Sequence, residues 1–151
     1  MKGKILNKKL KKLSLEILIR IFYAYDISRK DIKELLSEFI EGVRLPKEYL
    51  DLIYQITKFY EDNREAVDKT IQEHLQDWRF ERLGFIERAV LRIGVSKILM
   101  AKASNYVDIK DFNYTISFLL ELLECYTDSK KAVKFVNGIL GAIERENLAV
   151  V

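Results

Sequence analysis

Apolar residues recur at three- and four-residue spacing along nearly the whole chain, and little interrupts them: one proline and six glycines in 151 residues. A chain so short of turn residues cannot make the frequent reversals of a sandwich or barrel. The repeated spacing instead gathers apolar side chains on one face of a helix. The expectation is an all-α fold. At this length, with 49% hydrophobic residues, the chain can bury a sizeable core and is read as one domain, residues 1–151.

Residues 5 to 26 predict a first helix, with Leu10, Leu13, Ile17, Ile21 and Tyr25 on one stripe that Leu18 and Phe22 widen. Ser28 is the expected N-cap of a short second helix that ends before Gly42. Pro46 suits the first turn of a third, with Leu52, Ile53, Ile56, Phe59 and Tyr60 inward. Asn63 caps a fourth, with Ala66, Val67, Thr70, Ile71 and Leu75 inward. A charged join, 76 to 83, is anchored by Trp78, Phe80 and Leu83. The fifth helix, Gly84 to Ala101, is apolar on most sides and therefore central. Glu87 and Arg88 are polar groups on it, which leaves an internal ion pair or a partner-facing surface. The sixth helix spans about 111 to 126, and Asp128 caps the last.

Charge is unevenly placed. Residues 1 to 30 hold nine Lys or Arg and two acids, a balance of +7; with a total of +3, the other 121 residues sum to −4. Lys2, Lys4, Lys8, Lys9, Lys11 and Lys12 follow one another with no acid among them. Such a run is either a solvated face or a polyanion-binding ridge, and a surface serving solubility alone would intersperse signs. Nucleic acid is the leading partner class.

In the last helix, Ala132, Val136, Ile139, Leu140 and Ile143 form a stripe, and Gly138 and Gly141 fall on the opposite side. Each glycine costs about 1 kcal/mol relative to alanine in a helix interior. The expectation is a tight helix crossing there, or a binding surface around Lys134 and Phe135. No catalytic or metal-binding constellation emerges. His74 is a lone mid-helix histidine, Cys125 reads as a small core hydrophobe, and Glu61 and Asp62 sit where a helix start favours acids. No apolar run is long enough to span a bilayer, the N-terminus is not a secretion signal, and a cytoplasmic binding protein without cofactor is expected.

Two segments together carry a resemblance. Trp78-Arg79-Phe80-Glu81-Arg82-Leu83-Gly84-Phe85-Ile86-Glu87-Arg88-Ala89-Val90-Leu91-Arg92-Ile93 and Phe135-Val136-Asn137-Gly138-Ile139-Leu140 resemble blocks of the NusB family of transcription antitermination factors. The basic start of the first helix, Glu16 and Phe22-Tyr23-Ala24-Tyr25-Asp26 are similar too. The resemblance implies about seven helices in two packed subdomains. It implies binding of a single-stranded boxA-like RNA together with the ribosomal protein NusE, within an antitermination complex on RNA polymerase. It places Tyr23 and Phe135 near the RNA, beside Lys134 and the lysines Lys2, Lys4, Lys8, Lys9 and Lys12; helical projection leaves both aromatics partly outside their apolar stripes. Glu87 and Arg88 are the residues assigned to a protein partner.

The chain departs from the family pattern in places. Lysines stand for the usual arginines, which keeps phosphate attraction but not the bidentate fork. Leu13 and Leu15 occupy positions where arginines are common, Ser96-Lys97 replaces an aromatic–glutamate pair, and no proline precedes Ile116-Ser117-Phe118. The alternative reading is a diverged NusB-like module in ribosomal RNA modification or assembly. At this length it would require a separate catalytic chain.

Overall fold

The computed structural model describes residues 2–76 and 78–148, and the side chains of residues 2, 4 and 5 lie outside that description. It contains seven α-helices among the described residues: α1 (Lys2–Ser28), α2 (Ile32–Ile40), α3 (Lys47–Asp62), α4 (Arg64–Glu73), α5 (Phe85–Ser104), α6 (Ile109–Thr127) and α7 (Lys130–Asn147). A short 3-10 turn, Phe80–Arg82, precedes α5. Helices α1 to α3 pack together as one half and α4 to α7 as the other, and the α1–α5 contact joins them over a continuous core.

Both central helices are wrapped on nearly every side. In α5 the run Ala89 to Ser96 is buried throughout, as its apolar pattern predicts. In α1 the single expected stripe is too narrow. Leu15, Leu18, Ile19, Ile21 and Phe22 are all buried, whereas Leu13 is 43% exposed. Helices α2, α3, α5 and α6 all lean on α1, so its burial follows its neighbours rather than one periodic face.

Helix ends account for most of the boundary differences. Helix α1 runs on through Ser28, whose hydroxyl donates to the Ala24 carbonyl at 2.7 Å instead of capping α2. Arg29 then turns left-handed (φ 59°) and Asp31 begins α2. Asn63 stands between α3 and α4, but its amide donates back to the Phe59 carbonyl and caps nothing forward. Glu61 and Asp62 close α3, held by Lys33 at 3.6 Å and Lys58 at 3.2 Å. Asp128 ends α6 in the left-handed region, and Ser129 is the cap of α7, accepting from the Ala132 N–H at 3.1 Å. Cys125 is exposed, on the solvent side of α6 beside Glu124 and Tyr126.

One buried cation ties the halves. Arg92 of α5 is 5% exposed. Its Nη1 donates to Asp26 of α1 at 2.7 Å and its Nε to Asp68 of α4 at 3.2 Å. The guanidinium lies over Phe80 at 4.7 Å, Tyr25 at 5.3 Å and Tyr60 at 5.4 Å. Tyr60 in turn donates to Asp68 at 3.0 Å, and burial pushes its phenol well above the usual range. Replacing Arg92 by Met is expected to cost about 3–5 kcal/mol in denaturant unfolding, because Asp26 is left buried without a counterion. Adding Asp26→Leu to that variant should restore much of the loss.

The tight helix crossing is not at the expected glycines. A Cβ on Gly138 would meet nothing within 4 Å, and one on Gly141 would meet only Arg145 Nη1 at 3.2 Å. The close approach is at Gly94, where a Cβ would lie 2.7 Å from Leu140 Cδ2, so α7 packs its stripe directly onto the α5 backbone. Paired thermal melts should separate the two sites. Gly138→Ala stabilises by up to about 1 kcal/mol through helix propensity. Gly94→Ala has the same propensity gain but overpacks against a leucine that is 2% exposed, which costs about 1–3 kcal/mol, and its midpoint falls.

Candidate functional site

The lysines of α1 lie along α6, because the two helices run side by side in the same direction. Lys8 sits over the Tyr114 ring at 5.3 Å, and that ring stacks on Phe118. Lys11 is drawn inward onto Asp111, which also meets Lys97 at 3.5 Å. Burial works against the Asp111 carboxylate, yet the two lysines outweigh it and hold its pKa below the usual range. Lys97, which departs from the family pattern, thus has a structural role at the start of α6. Lys12 pairs with Glu121 at 2.7 Å. The predicted ridge is therefore half neutralised from the neighbouring helix: Lys8 and Lys9 remain exposed, while Lys11 and Lys12 are engaged. The side chains of Lys2 and Lys4 lie outside the described residues.

Further along α1 the surface changes character. Glu16 accepts from the Tyr126 hydroxyl at 3.0 Å and from Arg20 at 3.3 Å. Beyond them Tyr23, 39% exposed, meets the edge of Phe85 at 6.0 Å. Phe85 is itself exposed, and Arg88 lies over it at 4.8 Å. As the first residue of α5, Phe85 projects past the packed layer of an otherwise buried helix.

Arg88 makes no ion pair with Glu87 among the described residues. Its Nε donates to the Leu83 carbonyl at 3.1 Å and its Nη2 to that of Glu81, so it closes the turn before α5. Glu87 is half-buried in the first helical turn and folds back toward Gly84, where the helix dipole favours an acid.

Lys134 and Phe135 belong to a different part of the surface. They line a groove between α7 and the loop after α4, with His74, Trp78, Gly138 and Ile139. Phe135 is at the exposure boundary, 36%, as its projection predicts. Trp78, expected as an apolar anchor, is 54% exposed. His74 follows the last residue of α4 rather than lying mid-helix. Its Nδ1 is 2.8 Å from the Thr70 carbonyl and its Nε2 2.7 Å from Glu146 of α7.

The architecture defines a class: an all-α module of two packed helical halves, with lysines and exposed aromatics along its central first helix. The chain belongs to the NusB family, whose model matches residues 12–145. It is 36% identical over 144 residues to the transcription antitermination protein NusB of Persephonella marina, covering 94% of this chain and 97% of that one. The Aquifex aeolicus NusB is 30% identical over 124 residues, covering 82% of this chain and 79% of that one. Among solved structures, the antitermination factors NusB and NusE in complex with dsRNA include a chain matching with a TM-score of 0.77 at 26% identity, over 91% of this chain and 98% of that chain. The solution structure of Aquifex aeolicus NusB matches with a TM-score of 0.71 at 26% identity, over 93% of this chain and 90% of that chain.

His74 makes the join between α4 and α7 sensitive to pH. Burial disfavours its charged form, but the bonds to Thr70 and Glu146 together outweigh that, and its pKa is raised. The folded state thus holds the proton more tightly than the unfolded chain. The stabilisation is complete below the ordinary histidine value of about 6.5 and disappears as pH rises through the higher folded value. Stability measured across that window should fall with rising pH, and His74→Gln should flatten the fall.

Proposed function

We infer that this chain is an RNA-binding transcription antitermination factor that acts with a NusE-type ribosomal protein on ribosomal RNA transcripts, within an antitermination complex on RNA polymerase. One observation carries the reading: the chain matches, over nearly its full length, a NusB that has been crystallised with NusE and RNA. The surface fits it. Lys8 and Lys9 are free to meet phosphates, and the exposed rings of Tyr23 and Phe135 offer faces on which bases stack. Lys134 adds charge beside Phe135, Lys12 contributes in so far as Glu121 releases it, and Lys2 and Lys4 extend the basic run toward the N-terminus. The partner-facing residues are Glu87 and Arg88, at the exposed start of α5. The RNA is a single strand of boxA type, and the setting is the cytoplasm. Among the described residues no helix is long and apolar enough to cross a membrane.

The test is co-purification of the chain with its cognate NusE, with and without boxA-like RNA, beside RNA titrations over a salt series using single and double strands. A ternary complex that forms best on the single strand supports the reading. Formation with duplex alone, or with neither, refutes it. Within the same series, replacing Lys8 and Lys9 by Gln should lower the log–log salt slope by roughly 0.7 per lost phosphate contact. Lys12→Gln should lower it less, because Glu121 already neutralises that lysine. Glu121→Gln, which frees Lys12, should tighten binding and steepen the slope.

A further inference from the structure

Helices α3 and α6 flank the N-terminal half of α1 from two sides. Both run along α1 in its own direction. Tyr49 of α3 shares a hollow with Lys8 and Tyr60 meets Phe22, while Tyr114 of α6 lies under Lys8 and Tyr126 reaches Glu16. Between their first turns the two helices leave a trough of about 540 Å³, with α1 as its floor. Tyr49, Leu52 and Phe118 are half-buried and carry the core outward into it. Tyr114, 38% exposed, stands beside Phe118 with the rings 6.2 Å apart and nearly parallel. Charges sit at the rims and are sorted by sign, with Lys8 and Lys110 toward α1 and α6 and Glu48 on α3. All three are exposed, and none makes an ion pair among the described residues. Asp111, deeper in the trough, is already held by Lys11 and Lys97.

The spacing of the walls selects the occupant. Side chains enter the trough at three- and four-residue intervals, Glu48, Leu52 and Gln55 from α3 and Lys110, Tyr114 and Phe118 from α6. A helix repeats its own side chains at the same interval, so its ridges fit between these. An extended peptide fits poorly, because the middle of a helix offers no free N–H or C=O to pair with its backbone. Along α6, from Lys110 to Phe118, the wall is roughly 12 Å long, a little over two helical turns. A nucleic acid strand is also a poor match. Lys8 already lies over the Tyr114 ring at 5.3 Å, and the carboxylates of Glu48 and Asp111 line the same space. An apolar floor between a positive and a negative rim instead matches a protein surface that carries both signs.

We propose that this trough is the docking site for an amphipathic helix of a partner protein. The helix lays apolar side chains against Leu52, Tyr114 and Phe118, with an acid facing Lys8 and Lys110 and a base facing Glu48. The assignment does not depend on the RNA-binding reading. Only Lys8, on the shared edge, belongs to both surfaces.

The experiment selects a displayed library of randomised three-turn helical peptides on the full chain and, in parallel, on its Tyr114→Ala/Lys110→Glu variant. Both positions are exposed, so the variant should keep its unfolding midpoint and its affinity for single-stranded RNA. The natural chain should enrich peptides with apolar residues at i, i+3 or i+4, and i+7, flanked on one side by an acid. An enriched peptide, made synthetically and followed by anisotropy, should bind Tyr114→Ala about 5-fold or more weakly. It should also lose affinity for Lys110→Glu, and exchanging its facing acid for lysine should restore binding to that variant. Failure to enrich any helix overturns the proposal, as do peptides that bind the double variant equally well. RNA affinity lost in the double variant, with no helix enriched, assigns the trough to RNA and overturns it too. A chain that enriches such helices yet binds no RNA keeps the docking site and loses the RNA reading.

Discussion

The fold depends on how a full positive charge is kept out of water at its centre. Arg92 gathers Asp26 from α1, Asp68 from α4, the rings of Tyr25 and Tyr60, and Phe80 from the turn before α5. Elements from both halves thus share one cation. Removing a guanidinium from water is expensive, and the attraction of two carboxylates offsets it only in part. The match is also incomplete, for Asp26 Oδ2 is buried with no hydrogen-bond partner. An apolar side chain could fill this space with less internal conflict. What a charge adds is direction: the carboxylates of α1 and α4 can meet it in few arrangements, so the cluster specifies how the halves dock.

The helix-by-helix plan was legible because burial in a bundle writes itself as three-and-four spacing. Helix α5, buried along Ala89 to Ser96, announced its central place by having no polar face. Helix α1 did not, since Lys8, Lys9 and Lys12 mark a polar side while its middle turns are enclosed by four neighbours. The caps of α2 and α7 lie three residues and one residue beyond the expected Ser28 and Asp128, while Asn63 holds the expected position before α4 without a side-chain capping bond. Ser28, Asn63 and Asp128 each satisfy the helix they end rather than open the next. Gly94 and Gly138 exchanged roles, because only the position of the opposite helix says whether a missing Cβ is used for packing.

Of the candidate site, the half-open state of Tyr23 and Phe135 could be read from their angular offset to the apolar stripes. The partial neutralisation of the lysines could not. Glu121 and Asp111 lie about a hundred positions away in sequence and come beside Lys12 and Lys11 only when α6 docks along α1. A basic run counted along one helix therefore overstates the field at the folded surface. Trp78 escaped for the opposite reason: an apolar residue among charges reads as an anchor, whereas here the anchoring is done by the backbone and Gln72.

The enclosure of α1 also has a consequence for synthesis. This helix leaves the ribosome before the other six, and its covers come late: Asp26 waits 66 residues for Arg92, and Lys11 waits 100 for Asp111. At about 5–20 residues per second, the interval before α5 can dock is several seconds. During that time Leu15, Leu18, Ile19 and Phe22 have only the helices of their own half to shelter against. The lysines beside them meanwhile carry their full charge, because α6 has yet to appear. Until α6 docks, the apolar middle of α1 and the charges of Lys11 and Lys12 are both more open than in the finished fold.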